Sequence, residues 1–293
     1  MEIGAFTLTE PVPTLRQPHA LTMLRPWVDV GAVGATALEG LERGLTSLPL
    51  GQITRPGKFF DFTRYRPNAY FKEGVRQVDI PNSFIRYSPG PGDHDFIFLH
   101  LLEPHANGED YVESVLQLLE YFSVKRYALI GSMYDMVPHT RPLRISGTAS
   151  DPETNRKLTK YGARPSRYQG PTTLMTMLPA EAASRGMETM SVMVRLPQYA
   201  PLDEDSAGAL RVLQVLSDVY GVAVETHDLQ TKADEQIRQI NLAVAANPQL
   251  QRAVTHLEER YDARHGRAPE AATPQEQTPL PPSIEQFLRE LGG

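Results

Sequence analysis

The side chains best suited to chemistry lie in one proline-rich segment, residues 131–142. Its sequence, Gly-Ser-Met-Tyr-Asp-Met-Val-Pro-His-Thr-Arg-Pro, brings together Tyr134, Asp135, His139 and Arg141. An arginine fork binds a carboxylate or phosphate through two hydrogen bonds, and a neighbouring imidazole can transfer a proton. The segment follows a predicted strand, and ligands of open α/β sheets gather beyond the carboxyl ends of strands. The pattern therefore indicates a pocket for an anion.

A structural role for Arg141 is the competing interpretation. Its guanidinium could pair with Asp135 or Glu103 and so fix a loop that has few apolar side chains. Glu103 ends a strand predicted at 95–102. If that strand pairs in parallel with the strand at 126–131, the Glu103 carboxylate lies near residues 132–135, where it could act as a base or accept Arg141. The two interpretations differ in whether Arg141 faces an open pocket or an internal carboxylate.

Asp29 is the remaining candidate ligand-binding residue. It ends a strand candidate at 27–30 and precedes Gly31-Ala-Val-Gly34, which opens a predicted helix. A glycine-rich turn into a helix N-terminus can hold an anion. The spacing matches neither GxGxxG nor a P-loop, so a tight strand-to-helix turn is the alternative.

No catalytic set accompanies these candidates in the sequence. There is no GxSxG elbow and no cysteine, and Ser132 has no identifiable base. The eight histidines show no HExxH or His-x-His spacing. We therefore expect no catalytic residue, no metal site and no cofactor, and the balance favours a protein that is not an enzyme.

Composition excludes several classes of partner. The net charge is −6 and the basic residues are scattered, so no basic stripe is available to follow a nucleic-acid backbone. No window approaches the ~20 apolar residues of a membrane-spanning helix, and the N-terminus does not resemble a signal peptide. The absence of cysteine rules out disulfides and fits a cytoplasmic protein.

The elements that must position the candidates form an α/β pattern. Residues 95–102 are almost all apolar, as in a central strand, and 111–122 have one apolar helical face. With the strand at 126–131 they make a βαβ unit, which implies parallel strands. Residues 132–170 are predicted to form a long loop. Further strands are predicted at 21–24, 75–80 with a hairpin partner at 82–88, and 189–196, and helices at 35–48, 172–184 and 207–220.

The chain divides into four predicted regions. An irregular N-terminal arm covers 1–20, and an α/β domain covers 21–221. Residues 222–265 form a helical hairpin broken at Asn247-Pro248, with apolar stripes that need another surface to cover them. A proline-rich linker and a short terminal helix occupy 266–293.

Several segments are similar to those of one known family. The chain resembles the bacterial and archaeal relatives of the proteasome assembly chaperones, second-subunit type, over about residues 20–220. Its C-terminal part resembles an uncharacterised bacterial branch with a helical extension, most clearly at Leu257-Glu-Glu-Arg-Tyr261. The segments that carry the resemblance are Tyr65-Arg-Pro67, Leu102-Glu-Pro104, Leu-Ile-Gly131, Val137-Pro-His-Thr-Arg-Pro142 and Gly147-Thr-Ala149.

The resemblance implies a three-layer α/β/α fold with a mostly parallel central sheet, similar to phosphorylases and hydrolases, plus a C-terminal helical extension. It also implies a homo-oligomer, with a trimer as one option, and proteasome subunits as protein partners. The first hypothesis is therefore a non-catalytic oligomeric protein that binds other proteins. The second is an enzyme or binding protein for an anionic small molecule at the strand-end pocket.

Overall fold

The strands and helices follow from the computed structural model, which describes residues 1–166 and 168–265. The linker and terminal helix predicted at 266–293 lie outside the described residues. The strands are β1 Glu2–Ile3, β2 Phe6–Leu8, β3 His19–Arg25, β4 Leu48–Ile53, β5 Asn68–Lys72, β6 Val75–Asp79, β7 Phe84–Ser88, β8 Phe96–Leu102, β9 Arg126–Asp135, β10 Ile145–Ala149 and β11 Glu188–Pro197. The helices are α1 Val33–Leu45, α2 Gly108–Tyr121, α3 Pro152–Lys160, α4 Leu174–Ser184, α5 Ser206–Tyr220, α6 His227–Ala245 and α7 Pro248–His265.

Among the described residues, nine strands form one mixed sheet in the order β1-β2-β4-β7-β8-β3-β9-β11-β10. The four adjacent strands β8, β3, β9 and β11 run parallel to one another. Every other pair of neighbouring strands in this sheet is antiparallel. One face is covered by α2 and α4, and the other by α1, α3 and α5, each over its own apolar core. Every residue of β8 is buried, as its apolar run requires. The predicted three-layer α/β/α fold is confirmed.

The predicted pairing of the two βαβ strands is wrong. The strand at 95–102 and the strand at 126–131 both exist, but β3 lies between them and pairs in parallel with each. The middle of β3, Ala20 to Leu24, is completely buried. Such a segment is stable only with a strand on each side and a helical layer on each face, and this position provides both.

One predicted strand and one predicted hairpin pairing in the N-terminal half are also wrong, although both strands of that hairpin exist. Residues 27–30 form a turn with a single bridge from Asp29 to Ser132, followed by a short 3-10 helix at Val30–Ala32. The strand at 75–80 pairs with β5, through a turn in which Glu73 and Gly74 have positive φ, and not with 82–88. Positive φ at both turn residues suits a two-residue hairpin loop, and β7 instead pairs with β4 and β8.

Two regions are more ordered than the sequence suggested, and one predicted helix ends earlier than expected. Residues 132–170 are not one loop, because β9 continues to Asp135 and is followed by β10 and α3. Residues 1–20 contain β1 and β2, since the prolines at 11, 13 and 18 fall after these strands and before β3. Helix α1 ends at Leu45, because Thr46 adopts left-handed backbone and Leu48 begins β4. Helix α4 runs uninterrupted through Pro179.

Helices α6 and α7 form the predicted helical hairpin, and their apolar stripes meet the α/β body. A small core joins Ile240 and Val244 of α6 to Val254 and Leu257 of α7, over Tyr199. Tyr199 follows β11, so the surface that covers the hairpin lies at the carboxyl ends of the parallel strands. The domain boundaries themselves stay predictions. Among the described helices, none combines the length and apolar character needed to cross a bilayer.

Candidate functional site

The segment that leaves β9, residues 136–142, is termed the docking loop. It begins at Asp135, whose carboxylate accepts a hydrogen bond from the Met136 N–H at 2.7 Å. The Asp135 carbonyl then accepts the Val137 N–H at 2.9 Å, which closes a tight turn. Val137 is buried and anchors the loop, while Met136 packs against the core of the helical hairpin. The loop therefore leads the chain from the sheet directly under α6 and α7.

His139 is buried and fully hydrogen-bonded. Its backbone N–H donates to the Tyr199 hydroxyl at 2.8 Å, and its ring Nδ1 lies 2.6 Å from the same oxygen. On the other side Nε2 lies 3.0 Å from Oδ1 of Asn241, on α6. The phenol can donate only to Nδ1, so Nε2 carries the proton that Asn241 accepts. Burial lowers the pKa of His139, which favours this neutral form. The imidazole thus bridges Tyr199 and α6.

Arg141 is paired with carboxylates of α7 and not with Asp135 or Glu103. Its Nε and Nη2 donate to the two oxygens of Asp262 at 2.9 and 2.8 Å, and Nη1 lies 3.3 Å from Glu258. The hydrogen bond to Asp262 raises the pKa of the guanidinium. The predicted partners were wrong because the sequence places the nearest acids on the strand ends, whereas α7 folds back over the loop.

Two further contacts tie the docking loop to α7. The hydroxyl of Thr140 donates to Glu258, and the hydroxyl of Tyr261 donates to the Pro142 carbonyl at 3.0 Å. The loop therefore works as a clamp between the strand ends and the helical extension. Its partners Tyr199, Asn241, Glu258 and Asp262 were missed from the sequence. The one local signal was the pair of acids spaced i,i+4 on α7, which places both on one side of a helix.

The other two candidates on β9 lie on the strand and not in the docking loop. Asp135 is 3.7 Å from the Arg195 guanidinium, a loose ion pair between β9 and β11. Tyr134 is partly exposed, and its phenol hydrogen-bonds to the backbone of Leu202. Burial raises the Tyr134 pKa, so the phenol stays protonated near neutral pH. In the part of the chain that the structure describes, neither residue forms a hydrogen bond or ion pair with Arg141 or His139.

Asp29 occupies the helix N-terminus that could have held an anion. Its buried carboxylate accepts the Gly34 N–H and, at 3.3 Å, the Ala35 N–H at the start of α1. Burial raises its pKa. The neighbouring Ser132 is buried too, and its hydroxyl donates to the Val30 carbonyl at 2.6 Å. This segment is thus the tight turn into α1. The Asp29 carboxylate takes the place at the helix N-terminus where an anion would bind.

Glu103 lies apart from the docking loop, since β3 separates β8 from β9. Its N–H donates to the Arg25 carbonyl at 2.8 Å, and its own carbonyl accepts the Tyr65 hydroxyl at 3.1 Å. Burial raises the pKa of its carboxyl, which accepts a hydrogen bond from Thr173. The six candidates consequently do not form one site: they are distributed over three strand ends and the docking loop.

Two cavities open near the carboxyl ends of the strands. The first, of about 600 Å³, lies between α5, α6 and the docking loop and includes His139 and Arg141 in its wall. The second, of about 520 Å³, is termed the strand-end cavity; Trp27, Tyr134 and Tyr168 lie around it. Among the residues described, no three histidine, aspartate or glutamate side chains come together in a way that could hold a metal ion.

Comparison with known proteins identifies a family match over most of the chain. Residues 23–244 match the model of the PAC2 family. The match confirms the resemblance inferred from the docking loop and strand ends. The comparison with curated proteins finds no match.

Solved structures with a similar fold come from bacteria and archaea. A protein of unknown function from Corynebacterium glutamicum has a TM-score of 0.79 at 20% identity, covering 89% of this chain and 98% of its own. A proteasome-assembly chaperone homologue from Mycobacterium tuberculosis has a TM-score of 0.70 at 22% identity, with 80% and 99% covered. An archaeal proteasome activator from Pyrococcus furiosus has a TM-score of 0.63 at 16% identity, with 83% and 99% covered. At these identities the likeness shows a shared fold.

Proposed function

Because the chain belongs to the PAC2 family, we propose that it is a non-catalytic, homo-oligomeric protein that binds other proteins. Two solved relatives with this fold are described as a proteasome-assembly chaperone homologue and a proteasome activator, which makes proteasome subunits the first candidates for a partner. We place this role in the cytoplasm, in keeping with a chain that has no cysteine to form disulfides.

The observation that carries the proposal is the hairpin of β5 and β6, termed the arm. It pairs with no other strand of the described chain and forms a sheet of its own. Every residue from 66 to 80 is exposed. Phe71 is 75% exposed and Val75 62%. The large apolar side chains on or beside the arm are Tyr70, Phe71, Val75, Val78 and Ile80.

An isolated two-stranded hairpin is at best marginally stable in water. The arm also leaves both of its strand edges free to pair with another chain. Contiguous exposed apolar side chains of this kind mark protein–protein interfaces. The arm therefore has the physical properties of a segment that becomes buried on association.

A second copy of this chain is the partner that we favour for the arm. The charged residues of the hairpin balance, with Lys72 and Arg76 against Glu73 and Asp79. Two arms can therefore lie against each other in an antiparallel arrangement with opposite charges facing. Most homo-oligomers use self-complementary surfaces of this kind.

The oligomeric state tests this proposal directly. We expect the double variant Phe71→Asp, Val78→Asp to shift the mass measured by light scattering toward that of a single chain, with an unchanged circular dichroism spectrum. The matched control is Leu242→Asp, because Leu242 on α6 is also an exposed large apolar residue, at 55%. An arm variant that keeps the mass of the unmodified protein would rule out the arm as the self-association surface.

Binding to proteasome subunits is tested separately with purified components. We expect the intact protein to form a complex with isolated proteasome α-subunits in native mass spectrometry. If the protein self-associates but forms no such complex at concentrations of about 10 µM, where a micromolar dissociation constant gives substantial occupancy, the proteasome partner is excluded.

The second hypothesis, an enzyme or anion-binding protein around His139 and Arg141, has less support. The guanidinium of Arg141 is already engaged by Asp262 and Glu258, so the charge that an anion would need is balanced within the chain. His139 is held neutral between Tyr199 and Asn241.

A further inference from the structure

Three arginines lie side by side where β10 and β11 meet the outer edge of the sheet. The Arg195 N–H donates to the Arg144 carbonyl at 2.9 Å, so these two residues face each other across the strand pair. On the other side of β10, Arg164 forms a parallel bridge with Ser146, and its carbonyl accepts the Gly147 N–H at 2.9 Å. The backbone therefore places Arg195 directly opposite Arg144, with Arg164 diagonally beyond them, opposite Ser146; the three are termed the arginine row. Like charges in directly opposed positions destabilise a sheet.

The protein supplies too little negative charge for this row. Asp135 is the nearest acid, and its loose contact at 3.7 Å is to Arg195. Within the described residues, Arg144 forms neither an ion pair nor a side-chain hydrogen bond, although it is partly buried. Burial lowers the pKa of Arg144; the Asp135 carboxylate opposes this shift, and the charges of Arg195 and Arg164 add to it. A partly buried guanidinium without a partner carries a desolvation cost that a bound anion would offset.

The strand-end cavity adjoins this row. Arg195 lines it, and the Arg195 Nε donates to the hydroxyl of Ser146, also in the cavity wall, at 2.8 Å. Arg144 immediately precedes β10 and continues its pairing with β11, two residues before Ser146, so its side chain leaves the same face of the sheet. The rest of the wall is mainly apolar, and it includes Trp27, which is 56% exposed, and Tyr168. A cavity of about 520 Å³ is within the size range of small-molecule sites.

We propose that the strand-end cavity binds an organic anion, with its carboxylate or phosphate held by Arg144 and Arg195 and its apolar or aromatic body against Trp27. Arg164 adds positive charge at the same edge. The arginine fork recognises the flat, two-oxygen face of such head groups. The site is separate from the docking loop, whose arginine is neutralised by α7, and it is independent of the arm and of any protein partner.

Trp27 is the single tryptophan of the chain, so its fluorescence reports on this cavity alone. The probes are 4-phenylbutyrate and phenyl phosphate, each titrated into the full-length protein. The control ligands are 4-phenylbutyramide, which has the same body without the charge, and acetate and inorganic phosphate, which have the charge without the body. We expect a saturable change with at least one aromatic anion, at a concentration at least about tenfold lower than with any control ligand.

Two variants separate this site from a nonspecific effect of charge. Arg144→Gln and Arg195→Gln are each expected to weaken binding of the aromatic anion about tenfold or more. Arg43→Gln, an exposed arginine of α1 on the opposite face of the sheet, is the matched control and is expected to bind as the unmodified protein does. Without ligand, Arg144→Gln is expected to raise Tm by about 2–4 °C, because it removes the opposed like charge.

Three results would overturn the proposal. The first is the absence of saturable binding by both aromatic anions. The second is binding of 4-phenylbutyramide as tight as that of 4-phenylbutyrate. The third is unchanged affinity in Arg195→Gln, which serves as the decisive variant if Arg144→Gln does not fold.

Discussion

The most reactive-looking residues of this chain serve to join parts of the fold. The imidazole of His139 is saturated by Tyr199 and Asn241, and both faces of the Arg141 fork are directed at α7. Each contact connects residues more than 50 positions apart in the chain. The hydrogen-bonding capacity of histidine and arginine thus joins the strand ends to the helical hairpin.

The role of Arg141 is tested by replacing it with lysine. Lysine keeps the charge but lacks the planar fork, so it can satisfy only one oxygen of Asp262 well. We expect Arg141→Lys to increase amide hydrogen exchange in α7 severalfold, with little change in β8 and β9. Arg252→Lys, at an exposed position on the same helix, is the control and should leave α7 exchange as it is. Equal protection of α7 in both variants would refute a clamping role.

At the level of elements, helix ends are where local sequence and local structure agree best. The acidic run before α5 predicts an N-cap, and the Asp205 carboxylate accepts the Gly208 N–H at 2.7 Å. The Asn247-Pro248 break likewise ends one helix and starts the next, with the Asn247 side chain accepting the Gln249 N–H at 3.0 Å. Both features depend on residues within one turn of each other, which is the range over which sequence patterns are informative.

The capping role of Asp205 predicts a measurable loss of stability. We expect Asp205→Ala to lower the free energy of unfolding by about 1 kcal/mol, the usual cost of removing an N-cap side chain. Urea denaturation at pH 7 measures this change. Asp203→Ala, two residues earlier and exposed, is the matched control and should have a much smaller effect. A similar loss in both variants would mean that Asp205 stabilises α5 only through its charge.

Pairing between elements was much harder to predict than the elements themselves. The buried strands and the helix between them were found because their apolar periodicity is local. The position of β3 between β8 and β9 was not found, because nothing in residues 19–25 specifies which strands lie beside them. The same reason explains Arg141: its partners Glu258 and Asp262 lie more than 110 residues further along the chain. Six candidate residues were therefore identified without the contacts that determine what they do.

For the whole molecule, acid stability depends on a partly buried histidine at the start of β3. His19 stacks on His94 with ring centroids 4.2 Å apart, beside Tyr220. Burial lowers the pKa of His19 to about 3, and the charges of His94 and Arg126 act in the same direction. His19 is therefore neutral in the folded protein at pH values where the unfolded chain already binds a proton.

The direction of this pH effect follows from proton linkage. The contribution of neutral His19 to the free energy of unfolding is fully present above about pH 6.5, the pKa of histidine in the unfolded chain. It is lost as the pH falls from there toward 3, by up to about 1.4 kcal/mol per pH unit. We expect the unfolding free energy from urea titrations at pH 7, 5.5 and 4.5 to fall less steeply in His19→Gln than in the unmodified protein. His227→Gln, at an exposed position, is the control. Parallel curves for the unmodified protein and His19→Gln would contradict this assignment.

The central place of β3 has a consequence for how the chain is made. The ribosome releases β3 about 70 residues before β8 and about 100 residues before β9, the two strands that flank it. At roughly 5–20 residues per second, its apolar segment waits on the order of 5–20 s for its second neighbour. During that interval only the nascent chain and its surroundings can shield Ala20 to Leu24. The rate of translation through residues 26–135 is therefore expected to influence the yield of folded protein more than the rate through the later helices.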